Sequence, residues 1–524
     1  MYFYTRKDFK LSLVEIKKSN MIQKVLVANR GEIAVRIMRT CREMGIKSVA
    51  VYSEADRTAM HVRYADEAYF IGPSPSVQSY LVIDKIIEIA KKSNADAIHP
   101  GYGFLSENAA FSDRCKAEGI IFIGPSSDVI AVMGDKISAR NKMIAAGVNV
   151  VPGTTEPVTD DNEAKRIILE IGLPVMIKAS AGGGGKGMRL VKQESEIMSS
   201  LRGARSEAKA AFGDDAVYIE KYISSPHHIE FQVLGDTHGN VVHLFERECS
   251  VQRRHQKVVE ETPSPLLTPE LRRKMGEQAV LAAQSVNYVG AGTIEFLADD
   301  DHNYYFLEMN TRLQVEHPIT ERVVGVDLVR AQIDIADGKA IPFKQEDLKQ
   351  NGHAIEARIY AEDPDNNFMP SPGLIKHITE PLGLGVRHDG YVYEGFEIPI
   401  HYDPMISKLI VWSGTREEAI QRMKRALYSY KITGVKTNIR FLERIMEAED
   451  FKTGKYNTHF IEKNFDFLMQ ERHCGQRCED MAIITAFLHH MYKLDEKKSN
   501  NSEDSENYQS EWKNFGKRRG LIRF

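Results

Sequence analysis

No apolar run in the 524 residues approaches the ~18 that a bilayer-crossing helix needs, so a membrane protein is not expected. Positive charge is not in surplus either. The 69 basic and 73 acidic side chains leave a net charge of −4, which gives no footing for nucleic acid. Cysteine is sparse: Cys41, Cys115, Cys249, Cys474 and Cys478 are scattered and odd in number, which excludes a disulfide framework and suits a reducing, cytoplasmic compartment. Cys474 and Cys478 form C-x3-C beside His473 but have no second ligand pair, so no metal site is expected there. The first twenty residues lack an apolar core of signal-peptide length, and Asp8 and Glu15 argue against a transit peptide. They read as a disordered or spurious extension, with Met21 as the functional start. What remains is an ordinary soluble composition, 42% hydrophobic and 27% charged, long enough for about three domains.

From Lys24 the pattern is strand, helix, strand. KVLVA is a short buried strand. Ile33, Ile37, Cys41 and Met44 fall on one helical face, and SVAVYS follows as a second strand. The alternation continues to Gly124 and predicts a doubly wound parallel sheet. Its first turn, Asn29-Arg30-Gly31-Glu32, holds one glycine where a dinucleotide fingerprint needs three. MGDKISARNKMIAAGV then reads as one helix ending at Gly147.

The glycines lie further on, in AGGGGKGM, Ala181 to Met188. Gly182, Gly184 and Gly187 satisfy G-x-G-x-x-G, but short apolar strand-like runs flank them on both sides. The fingerprint requires a helix to start inside the glycines, and none is expected before the polar stretch after Lys192. A P-loop would need glycine at Ser180 and a hydroxyl residue at Gly187. Both motifs fail on context, and a glycine-tipped hairpin remains.

Further hairpins are expected over His227–Glu248, turning at Asp236–Gly239, and over Gly290–Asn310. A third region begins at Gly352 and ends with a helix after Thr415, where Thr415 and Glu418 form a capping box and Ile420, Met423 and Leu427 the apolar face. Beyond Phe465 a polar tail is expected, with one helix near Met481 to Tyr492.

If the second hairpin turns between Asp301 and His302, Glu295 lies opposite Glu308 and Thr293 opposite Asn310, all on one face. Ile294, Phe296, Leu307 and Met309 would pack on the other. Two carboxylates at such range repel unless a cation sits between them, and hard oxygen ligands suit Mg2+. The plainer alternative is three exposed polar residues on an amphipathic hairpin. Arg312, Gln314 and Glu316 would share a face if their segment were extended, and a basic cluster spans Arg247 to Lys257 unless that stretch is a solvated loop. Together these features suggest a nucleoside-triphosphate enzyme that uses Mg2+ and charge stabilisation without a P-loop.

VLVANRGEIAVRI, HPGYGFLSEN, FIGPSS, MGDKISAR, VMIKASAGGGGKGMR, ERECSVQRRHQKVVEE, FLEMNTRLQVEHPITE and YDPMISKLIVW closely resemble the biotin carboxylase family over Met21 to Phe465. The resemblance implies an α/β and α+β multidomain fold. Its parts are an extension (1–20), a pre-ATP-grasp doubly wound sheet (21–134), an ATP-grasp domain (135–345) with a glycine-rich lid at about 152–222, a C-terminal domain (352–465) and a tail (466–524). It implies that bicarbonate is activated by ATP to carboxyphosphate and that CO2 passes to biotin on a carrier protein. It implies ATP contacts at Lys136, Lys178, Gly184, Gly185, Glu220, Lys221, Ile223, His228 and His255, with Glu295 and Glu308 alongside. It implies two Mg2+ or Mn2+ ions on Glu295, Glu308 and Asn310. Bicarbonate contacts would be Lys257, Arg312, Gln314 and Val315, the base Glu316, and the biotin contacts Arg358 and Tyr102. A homodimer, a biotin carrier protein and carboxyltransferase subunits are the implied partners. The only Met-Lys, Met423-Lys424, lies inside a helix, so biotin is not expected on this chain. His227 departs from the family pattern, where many members carry a basic residue. The alternatives are another ATP-grasp carboxylate-amine ligase, or a nucleotide-binding regulator that has lost catalysis. The final acceptor, whether acetyl-CoA, propionyl-CoA or pyruvate, is not written in this chain.

Overall fold

The computed structural model describes residues 22–179, 188–212, 215–470 and 476–500, in two units that divide between Met469 and Gln470. The expected extension, Gly184, Gly185 and the His473/Cys474 pair lie outside the described residues.

Strands β1 (Lys24–Val27), β2 (Lys47–Ser53), β3 (Glu67–Gly72), β4 (Ala97–His99) and β5 (Ile121–Phe122) form a parallel sheet in the order β3-β2-β1-β4-β5. In β1, Val25 and Val27 pack into one core and Leu26 into another, as a sheet covered on both faces requires. The helix Gly31–Glu43 buries Ile33, Ile37 and Cys41, the face read from the sequence. The single helix expected near Gly134 is two, Ser127–Gly134 and Lys136–Ala145. Asp135 separates them: its backbone is extended and its carboxylate accepts from Ser138 N–H at 2.8 Å, capping the second helix.

A small antiparallel sheet follows, made of β6 (Val175–Ala179), β7 (Arg189–Val191) and β8 (Val217–Lys221) in the order β7-β6-β8. Val175 pairs with Val191 and Ile177 with Arg189, so the glycine stretch joins two paired strands, the context read from its flanks. Among the described residues that follow the glycines, no α-helix starts before Ile197. Val175, Ile177, Val191, Leu201, Val217 and Ile219 form a core of their own.

The largest sheet contains β9 (His227–Gly235), β10 (Val241–Arg253), β11 (Gln256–Thr262), β12 (Gly290–Ala298), β13 (Tyr304–Asn310) and β14 (His353–Tyr360). Its order is β13-β12-β9-β10-β11-β14, continued by the strands Met405–Ser413 and Val386–Gly390. The sheet therefore runs without a break across the boundary expected between 345 and 352, through the pairing of Glu260 with Glu356. After it, Thr415 caps its helix by accepting from Glu418 N–H at 3.3 Å. The capping box expected there is only half made, because the Glu418 carboxylate accepts from Ser413 Oγ at 2.7 Å instead.

Taken by itself, the second unit contains a helix over Gln476–Asn500, longer than the Met481–Tyr492 segment expected, and it exposes Met481, Ile484, Phe487 and Leu488.

Candidate active site

The β12–β13 hairpin delivers the carboxylates. Thr293 pairs with Asn310 and Glu295 with Glu308, the register read from the sequence. A bulge between Glu295 and Phe296 then pairs Phe296 with Phe306, so Leu307, expected in the core, is 39% exposed. Glu295 is buried and crowded with donors. Asn310 Nδ2 donates to its Oε1 at 2.7 Å, Gln314 Nε2 at 2.8 Å and Lys257 Nζ at 3.2 Å, while His228 Nε2 lies 2.8 Å from Oε2. Burial opposes its charge, but Lys257 and His228 outweigh burial and hold the Glu295 carboxyl well below the usual range. Glu308 is solvent-exposed, and no protein donor meets it among the described residues. The protein around it and the charge of Glu295 raise its pKa, while Lys136, in the first turn of its helix, favours the ionised form. Two facing carboxylates, one of them unmatched by a protein cation, fit a divalent ion.

Lys257, on β11, is the hub. Its Nζ donates to Glu316 Oε1 at 2.9 Å, to Glu295 and to Glu230. Burial disfavours its ammonium, yet the three carboxylates hold its pKa well above the ordinary lysine value. Glu316 stands at the N-cap position of the helix His317–Val324 without a capping bond from its side chain, and its Oε2 accepts from Arg358 Nη2 at 3.0 Å. Arg358 Nε donates to Glu260 Oε1 at 2.6 Å, so the guanidinium is clamped between two carboxylates.

The segment from Thr311 to Glu316 is not a strand, so Arg312, Gln314 and Glu316 do not share one face as the extended reading required. The chain turns into the helix. Arg312 Nε donates to Glu107 at 2.9 Å and its Nη2 to Asn310 Oδ1 at 2.9 Å, while the Gln314 side-chain oxygen Oε1 accepts from Arg247 Nη2. The Val315 carbonyl accepts from Lys408 Nζ at 2.8 Å. The basic cluster also divides. Arg247 is fully buried, and Arg253 lies 2.9 Å from Glu362 Oε2. Arg254 and His255 form the exposed hairpin tip, with φ +50° and +66°. The solvated-loop reading holds only for this tip.

His228 is buried on β9 with Nε2 3.2 Å from Glu230 Oε1. Burial works against its imidazolium, but Glu295 and Glu230 overcome it and push the pKa up to about 10. On the small sheet Lys178 is paired with Glu220. The Lys221 side chain turns to the Gly172 carbonyl at 2.8 Å, and Ile223 follows the end of β8, half-buried. The Tyr102 hydroxyl donates to Glu32.

Sequence reading missed Glu107, Glu230, Glu260, Lys408 and Glu32 as site residues, and took Arg247 only as the start of a basic cluster. Two of them carried a signal. Glu230 is two residues from His228 on one strand, hence on its face, and Lys408 interrupts an otherwise apolar strand, where a lysine must be paired. Glu107 lies in a turn whose sequence carries none.

Three family models cover most of the chain. Residues 21–130 match the biotin carboxylase N-terminal domain, 135–344 the ATP-binding domain of the carbamoyl-phosphate synthase L chain, and 356–463 the biotin carboxylase C-terminal domain. The chain is 55% identical to the biotin carboxylase of Haemophilus influenzae over 444 residues, 84% of this chain and 99% of that one. It is 56% identical to the mitochondrial methylcrotonoyl-CoA carboxylase subunit alpha of Rattus norvegicus over 86% of its own length, but spans only 63% of that relative. Among solved structures, the biotin carboxylase domain dimer of Hydrogenobacter thermophilus 2-oxoglutarate carboxylase, in complex with MgADP, ADP and bicarbonate, superposes with a TM-score of 0.79 at 50% identity. That match covers 86% of this chain and all of that one.

Proposed function

This chain belongs to the biotin carboxylase family, and from that premise we propose how its residues share the work of ATP-dependent biotin carboxylation. The enzyme is a ligase that uses ATP, Mg2+ and bicarbonate, with biotin as a carrier-bound substrate. The observation that carries the assignment of roles is Glu316 held at 2.9 Å by Lys257 and at 3.0 Å by Arg358. Burial raises the Glu316 pKa, but Lys257 and Arg358 overcome that and keep it ionised, with Glu230 opposing them.

Bicarbonate is a weak nucleophile that the γ-phosphate repels. Lys257 and Arg312 offset that repulsion, Gln314 and the Val315 main chain orient the anion, and Glu316 removes its proton. Arg358, whose guanidinium cannot lose its charge, meets the oxygen of biotin where negative charge develops, with Tyr102 close by. Lys136, Lys178, Glu220, Lys221, Ile223, His228 and His255 contact ATP, and Gly184 and Gly185 cover its phosphates. Glu295, Glu308 and Asn310 would hold two Mg2+ or Mn2+ ions, which shield the phosphate charge when bound. Carboxyphosphate hydrolyses readily, so the part of the chain at about 152–222 serves as a lid that excludes water. The division into 21–134, 135–345 and 352–465, the homodimer, the separate biotin carrier protein and carboxyltransferase subunits, and a cytoplasmic location belong to the same reading. Among the described residues no helix is long and apolar enough to cross a membrane.

The test is phosphate release from ATP by pure protein with free biotin as acceptor. Release that requires both bicarbonate and biotin is expected. Release indifferent to both would return the assignment to the other ATP-grasp ligases.

A further inference from the structure

Lys408 is fully buried in the strand Met405–Ser413, and it faces two distant parts of the chain at once. Its Nζ donates to the Val315 carbonyl at 2.8 Å and lies 3.2 Å from Glu32 Oε1. Glu32, buried in the first turn of the helix Gly31–Glu43, accepts the Tyr102 hydroxyl on the same oxygen. Its other oxygen, Oε2, is buried and meets no hydrogen-bond donor. One carboxylate oxygen thus receives both the tyrosine and the lysine. Burial pushes the Glu32 carboxyl up, and Lys408 offsets only part of that. Val315 directly precedes Glu316, which sets the orientation of the base. Neither Lys408 nor Glu32 bonds to any of the groups assigned above to ATP or metal.

We propose that Lys408 and Glu32 are positioning residues that hold the bicarbonate side of the site, through Val315, in fixed register with the biotin side, through Tyr102. The proposal rests on the functional reading above. Its physical basis is that two substrates reacting in sequence must meet in one alignment, and displacement of about 1 Å can cost a hundredfold in rate. Lys408 and Glu32 supply that alignment with a charge-assisted link that no solvent can screen.

The experiment is steady-state kinetics of the full chain carrying Lys408→Met and, separately, Glu32→Gln, with ATP, bicarbonate and free biotin each varied. Because each variant loosens groups that hold both substrates, it should raise KM for bicarbonate and for biotin together, by about tenfold, the worth of one charged hydrogen bond. KM for ATP should change less than twofold. The crossed effects decide: Glu32→Gln touches only the biotin side directly, yet must raise KM for bicarbonate, and Lys408→Met must raise KM for biotin. Variants that each disturb only their own side, or that lower kcat and melting temperature with every KM unchanged, overturn the proposal. If Lys408→Met does not fold, Glu32→Gln alone carries the same decision. Wild-type protein that ignores bicarbonate and biotin would instead overturn the functional reading, a result that no variant mimics.

Discussion

The eight-stranded sheet and the small β6-β7-β8 sheet each carry lysine and glutamate, and they use them in opposite ways. On the large sheet, Lys257 touches Glu230, Glu295 and Glu316, each from a different element, and all three carboxylates are buried. On the small sheet, Lys178 meets Glu220 alone among the described residues, and the lysine side chain is 37% exposed. The large sheet shares cores with the N-terminal helices and with the C-terminal helices, whereas the core of the small sheet contains no residue of the large one. Charge that must not move is locked by several partners at once. On the proposed roles, the charge that meets the nucleotide is left with one partner it can exchange, on a sheet packed separately.

The sharpest way to break this contrast is at its most interlocked point. Glu316→Ala should lower biotin carboxylation about a thousandfold while ATP affinity stays within about threefold. Isothermal titration with ATP checks the second half, and a matching loss of ATP affinity would make Glu316 a structural group. On the small sheet the same logic predicts a different kinetic signature. Lys178→Met should raise KM for ATP about ten- to a hundredfold, the worth of one charged hydrogen bond, and leave KM for bicarbonate nearly unchanged. Equal effects on the two constants would erase the distinction between the sheets. Between them lies the exposed carboxylate. Glu308→Gln should raise the Mg2+ concentration for half-maximal activity at least about tenfold, the loss typical even of an outer-shell ligand partner. An unchanged Mg2+ titration would remove Glu308 from the metal set.

The smallest expected effect tests whether interlocking is a property of the sheet or of the site alone. Glu261, next to Glu260 on β11, accepts from His353 Nε2 at 2.6 Å, Arg416 Nε at 2.7 Å and Tyr456 Oη at 2.5 Å, among groups with no assigned chemistry. Burial opposes its ionisation, but His353 and Arg416 hold its pKa down to about 2. A depressed carboxylate contributes stability that is complete above its ordinary pKa, near 4.5, and is lost as pH falls toward 2. Unfolding free energy of the wild type should therefore fall over that window by at most about 3 kcal/mol from this group, and Glu261→Gln should flatten the fall. A variant with the same acid profile would show that the back of the sheet is not held this way.

Much of the site was legible because strands report their faces directly. The alternation in Thr293–Asn310 places Glu295, Glu308 and Asn310 together, and only the bulge at Glu295/Phe296 escapes it, since a single extra residue leaves no mark on composition. The helix split at Asp135 was readable in principle from an N-cap residue three before Ser138. Arg312 to Glu316 misled because alternating polarity is equally consistent with a turn entering a helix. Glu107 and Glu260 were illegible for a different reason: their partners lie 205 and 98 residues away, and only the tertiary fold introduces them.

The continuity of the large sheet has a consequence for how the chain is made. Until residues 353–360 leave the ribosome, β11 has no neighbour on one side, and its Val259–Thr262 backbone groups stand open. A product halted near residue 345 would expose that edge together with Glu260 and Glu261, a template for wrong pairing. The half of the sheet that carries Lys257 is thus finished only by a strand translated some hundred residues later, which makes premature termination here a hazard of aggregation rather than a mere loss of activity.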